Sequence, residues 1–110
     1  MTQSQPISFY VAGVKFHESH TVMDKLEVGT RFGMVPDPFN KFDSNAVELR
    51  FIEEDGDTMI GFVPAKFSPQ ISATLKVMDN VVCEIVELYP NNKPWERIKV
   101  EIKVEDKEDA

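Results

Sequence analysis

A chain of 110 residues is enough for one domain and too short for two ordinary ones, and 42% hydrophobic residues with eleven aromatics can build a core without staples. Its formal net charge of −7 argues against a sequence-blind duplex coat, which is ordinarily basic, but permits a local site for a few phosphates or docking on a basic protein surface. The single cysteine, Cys83, excludes an internal disulfide and any multi-cysteine zinc site.

The first eight residues, "MTQSQPIS", are polar and lack the basic flank and apolar run of a signal peptide. With no apolar segment of membrane-spanning length, the expectation is a soluble, cytoplasmic protein with a flexible start at 1–8. "FYVAGV", Phe9 to Val14, is β-branched and aromatic and predicts a buried strand. "KFHESHTVMDKLEVG" predicts a connection with room for one helical turn, ending at Gly29. "TRFGMVP", Thr30 to Pro36, predicts a second strand with Phe32 and Met34 on one face and Arg31, Gly33 and Val35 on the other.

"PDPFNKFDSNAV", Pro36 to Val47, sets Phe39 and Phe42 among two prolines, two asparagines and two aspartates. Such Asn and Asp side chains cap loop N–H groups, so the stretch predicts a capped turn between strands. Val47, Leu49 and Phe51 then alternate with Glu48 and Arg50, as in a strand with one wet face. Asp55-Gly56 is a hairpin signal, and "TMIGFVP" is the returning strand.

"SPQISATLKVMDN" switches to helical spacing through Ile71, Leu75 and Met78. Ser68 is placed at the N-cap, Pro69 at the first helical position and Asn80 at the end. "VVCEIVEL" predicts a strand with Cys83 as a small buried hydrophobe. "YPNNKPWER" predicts a loop with Trp95 as a lid over the core, a binding ring being the second choice. "IKVEIKV" points Ile98, Val100, Ile102 and Val104 inward, while Lys99, Glu101 and Lys103 suit a sheet edge. Residues 105–110 hold four acids and one lysine and predict a disordered tail. About six strands with one or two short helices predict a mainly β domain over 9–104, a small antiparallel barrel plugged or crossed by its helix.

Catalytic signatures are missing: the sequence has no P-loop, no G-x-S-x-G and no dinucleotide fingerprint, so neither enzyme activity nor a cofactor is expected. His17 and His20, near Glu18 and Asp24, lack a second ligand cluster and read as loop histidines. Asp37 and Asp43 have the chemistry for a cation but read as turn caps, so no metal is expected. Lys15, Phe16 and His17 leave the first strand together, and Arg31, Lys41 and Phe42 face them if the first two strands pair near the loop. Rings beside a few cations are the ingredients of single-strand recognition, since bases stack on rings and cations hold phosphates.

"DPFNKFDSNAVEL" resembles the signature of HIRAN domains, roughly P-x-N-x-x-D-x-N-A-[IV], matched by Pro38, Asn40, Asp43, Asn45, Ala46 and Val47. "VAGVKFH" resembles the family's first strand, and "TMIGFVPAKFSPQISATL" its I-G-[HY]-[VL] strand leading into a helical segment. The resemblance runs from about Phe9 to Val104. It implies an OB-like or SH3-like barrel that binds single-stranded DNA and captures a free 3′-hydroxyl end. Carried over by position, Lys15 holds a phosphate, Phe16 and His17 lie near the terminal bases, and Asn40 and Asp43 lie near the 3′ end, with Phe42 and Phe62 beside them. Lys15 stands where the family has Arg, Phe16 and His17 where it has Tyr, and Phe62 where it has His. The resemblance leaves two partner classes: single-stranded DNA ends, or a helicase or nuclease on which an acidic accessory or inhibitory module, of the kind phages and mobile elements encode, would dock.

Overall fold

Alternating apolar and polar residues place six antiparallel strands among the residues that the computed structural model describes, 6–14 and 22–105. They are β1 (Ile7–Tyr10), β2 (Arg31–Pro36), β3 (Val47–Glu53), β4 (Gly56–Phe62), β5 (Val81–Leu88) and β6 (Ile98–Val104). Among the described residues, the α-helix α1 (Ser68–Val77) joins β4 to β5, and 3-10 turns at Met23–Lys25 and Pro94–Glu96 punctuate the connections. The first strand starts two residues earlier than its apolar run suggests, at Ile7, and ends at Tyr10. No helix among the described residues is long and apolar enough to cross a membrane.

All six strands form one sheet in the order β1-β6-β5-β2-β3-β4. It consists of two three-stranded halves joined at a short seam. β2 starts on β5, through Arg31↔Glu84 and Phe32↔Cys83, then changes partner and pairs β3 from Gly33↔Arg50 to Pro36↔Val47. β3 and β4 form the hairpin that Asp55-Gly56 predicts, with Glu53 opposite Gly56 and Gly56 at φ +145°. The inner faces of both halves meet in one core, in which Val47, Leu49, Ile60, Ile85, Ile98 and Val100 are fully buried. Cys83 lies in this core, and burial pushes its thiol up to about 12, so it behaves as a hydrophobe.

β6 is a central strand and not an edge, since it pairs with β1 on one side and β5 on the other. Its outward lysines face acids of the neighbouring strand: Lys99 lies 3.9 Å from Glu87, and Lys103 lies 3.6 Å from Glu84. Alternating charge on this strand therefore reflects cross-strand pairing rather than protection of a free edge.

The sheet is not closed into a barrel. Its outer strands β1 and β4 are linked, among the described residues, by one isolated bridge just past the end of β1. There Ala12 and Phe62 exchange both backbone hydrogen bonds, at 2.9 and 2.8 Å. Gly61 makes this approach possible, because a Cβ at that position would lie 2.3 Å from the Ala12 carbonyl oxygen. β1 is too short to extend the pairing, and the chain turns away at Gly13, where φ is +73°.

α1 packs on the core through Ile71 and Leu75, and the ring of Phe67 stacks on Phe9 at 5.5 Å. Pro69 opens the helix as expected, but the N-cap is Phe67 and no side chain caps the turn. Ser68 is instead the first helical residue, and its hydroxyl points into the protein, fully buried. Met78 ends the helix as C-cap and is exposed. Trp95 is not a lid: it is 56% exposed, with the Lys93 ammonium 5.7 Å from its ring centre.

Candidate functional site

The loop from β2 to β3 has little regular pairing of its own, so its side chains take over the hydrogen bonding. Asn40 does most of this work. Its Oδ1 accepts from the N–H of Phe42 at 2.9 Å and of Asp43 at 3.1 Å, and its Nδ2 donates to Asp37 Oδ2 at 3.2 Å. Asp43 continues the pattern, its Oδ1 accepting from the Asn45 N–H at 2.9 Å. Backbone bonds close the loop: Asp37 N–H to Ala46 O at 2.8 Å, Asn40 N–H to Asp37 O, and Ala46 N–H to Asp43 O. These are the Asx-type caps that the sequence predicts.

With its backbone fixed this way, the loop turns its rings outward. Phe39 and Phe42 are each 92% exposed, so two apolar rings remain in water without the gain that burial in the core would give. Phe42 stands at the rim of a cavity of about 210 Å³ lined by Ala12, Asn40, Phe42, Asp43, Ala46, Phe62, Val63 and Ala65. The Ala12–Phe62 bridge forms part of its wall, so the same close approach that links the sheet edges also shapes the cavity. Three of the lining residues are alanines, and their short side chains leave the space open.

Four of the seven residues expected to form a site, Asn40, Phe42, Asp43 and Phe62, line this one cavity, although Phe62 is separated from the other three by the whole β3–β4 hairpin. Lys15, Phe16 and His17 lie outside the described residues, as does the His17–His20 pair. Arg31 does not join the site; it sits at the seam, bonded to Glu105 at 2.5 Å and 3.6 Å from Glu84. Lys41, beside Phe42, is exposed, and no ion pair to it occurs among the described residues. Asp37 and Asp43 are tied into the loop rather than into a metal cluster, and no group of three possible metal ligands occurs among the described residues.

Ser68 is the residue that sequence reasoning misses. Its hydroxyl donates to Asp43 Oδ2 at 2.6 Å, with the Ala65 carbonyl 3.2 Å away. Asp43 thus has both carboxylate oxygens engaged, yet each keeps a second lone pair for a ligand. The site can stack a flat ring against Phe42, take an apolar body between Ala12, Phe62 and Val63, and accept a hydrogen bond at a fixed carboxylate.

The family model of the HIRAN domain matches residues 5–107. Among solved structures, the crystal structure of the HIRAN domain of human HLTF aligns with a TM-score of 0.68 and 12% sequence identity, covering 90% of this chain and 74% of that one. At that identity the likeness is one of fold. No curated protein matches the chain.

Proposed function

We propose, since the chain belongs to the HIRAN domain family, that it is a non-catalytic nucleic-acid-binding module that takes single-stranded DNA at a free 3′-hydroxyl end. The observation that supports this is the juxtaposition of an exposed ring, Phe42, with a held carboxylate, Asp43, at the mouth of one small cavity. A terminal base stacks on Phe42 and packs toward Phe62, and the terminal sugar brings its 3′-hydroxyl to Asp43, which accepts the hydrogen bond. A 3′-phosphate would bring like charge against the same carboxylate, so the end is selected by exclusion as well as by attraction. Asn40 holds the loop in place and keeps one amide N–H for the sugar. Lys41 and Lys15 hold phosphates, and Phe16 and His17 contact the neighbouring bases. The fold reads as an opened OB-like barrel whose two edges are held at Ala12 and Phe62.

An acidic chain with few cations at the site binds only a short stretch of strand. Two phosphate contacts give a salt slope of about −1.4, shallow for a DNA-binding protein. Fluorescence anisotropy with short oligonucleotides ending in a 3′-hydroxyl or a 3′-phosphate tests the proposal at low salt. The hydroxyl form is expected to bind more tightly, and Phe42→Ala to weaken it by about 1–3 kcal/mol while leaving the fold intact. Equal binding of the two ends, or none, would overturn end recognition.

A further inference from the structure

We propose that Ser68 is the positioning residue for Asp43, and that through it the start of helix α1 sets the end specificity of the site. The inference rests on the end-recognition reading and names the part of the fold that enforces it. A serine at the start of a helix ordinarily caps it, by accepting a hydrogen bond from an N–H of the first turn. Ser68 does not: the N-cap is Phe67, and no side-chain cap bond is made. Its hydroxyl is fully buried and donates across the fold to Asp43 Oδ2 at 2.6 Å. That length is typical of a strong bond to a charged acceptor.

The bond completes a grip. Asp43 Oδ1 takes the Asn45 N–H, Oδ2 takes Ser68, its own N–H goes to Asn40 Oδ1, and its carbonyl takes the Ala46 N–H. The loop alone fixes one oxygen and leaves the carboxylate free to turn about the end of its side chain. Ser68 fixes the second oxygen and so fixes the plane of the group. The lone pairs left over then point in set directions into the cavity that Asp43 lines. Ser68 needs no contact with DNA to do this, and α1 becomes part of the site without lining it.

The test is the ratio of affinities for 3′-hydroxyl and 3′-phosphate oligonucleotides. Ser68→Ala is expected to reduce the ratio about 5- to 10-fold, the scale of one ordinary net hydrogen bond, since Ser68 acts on the ligand only through Asp43. Ser68→Thr, which keeps the hydroxyl, is expected to retain it. Ser72, also buried and one turn further along α1, is the control for simple loss of packing. Ser72→Ala is expected to lower Tm and leave the ratio unchanged. If Ser68→Ala does not fold, Ser68→Cys fills the space with a weak donor and is expected to lose the ratio in the same way. In an Asp43→Asn background, Ser68→Ala is expected to change nothing further. A wild-type ratio near one overturns end recognition itself. A wild-type preference that Asp43→Asn abolishes but Ser68→Ala and Ser68→Cys leave intact overturns the role of Ser68 alone.

Discussion

The β5–β6 ladder and the loop between β2 and β3 both satisfy their backbone polar groups, and they use different parts of the chain to do so. In the ladder the backbone pairs with itself, from Val81↔Val104 to Leu88↔Ile98. Side chains there need only be apolar inside and charged outside. In the loop the partners are Asn40 and Asp43 side chains, so specific atoms at specific positions carry the structure. The ladder is tolerant of identity and demanding of volume. The loop is the reverse, and it leaves Phe39 and Phe42 uncovered because a loop braced by short polar side chains has no apolar layer to receive them.

Substitutions can break this contrast. The largest effect is expected at Ile85, fully buried in β5: Ile85→Ala should cost about 4 kcal/mol in chemical denaturation, and Ile85→Val only about 1. Next is Gly61→Ala, expected to cost about 3 kcal/mol, because the new Cβ would lie 2.3 Å from the Ala12 carbonyl oxygen and 2.7 Å from the buried Val11 side chain. The same variant should widen the cavity mouth, read as weaker binding of any oligonucleotide. Asn40→Ala should cost about 2 kcal/mol by leaving two N–H groups without their acceptor. Asn40→Asp should not rescue it, since a carboxylate there meets Asp37, and equal stability of Asn40→Asp and wild type would end the distinction between loop and ladder.

The smallest effect is at the surface pair of Arg31 and Glu105. The Arg31 guanidinium holds the Glu105 carboxyl below its ordinary 4.5, by direct hydrogen bonding first and charge second. A lowered folded value means that the stabilisation is present above 4.5 and fades as the pH drops through the depressed value. Glu105→Gln should therefore lower Tm slightly at neutral pH, and the difference should vanish well below 4.5. A difference that persists in acid would mean that the side chain acts by packing.

The elements were legible where one physical rule dominates locally. Alternation marks β3 and β6, an apolar run marks β5, Asp55-Gly56 marks the hairpin, and Pro69 with Ile71 and Leu75 marks the helix. The loop caps were legible too, because Asn and Asp act on N–H groups two or three positions away. What could not be read were relations between distant segments. Ser68 looks like a helix cap because its partner is 25 positions away. β6 looks like an edge because charges that answer Glu84 and Glu87 resemble charges that repel a neighbour. Trp95 looks like a lid because a tryptophan in a proline-rich loop gives no sign of which way it faces. The open sheet is illegible for the same reason: strand count says nothing about whether the last edge reaches the first.

The pairing of β1 with β6 has a consequence for how the chain is made. Ile7 finds its partner in Ile102, so β1, made before the other five strands of this sheet, must wait for β6, made after them. Until β6 emerges, β1 has no ladder, and one edge of β5 lacks its hydrogen-bonding partner. Such long-range closure is slow relative to local pairing. The β3–β4 hairpin and α1, whose contacts are local, are expected to form during synthesis, and the first strand to dock after it. The species that waits for closure therefore lacks two neighbouring strands at once, β6 and the β1 that depends on it.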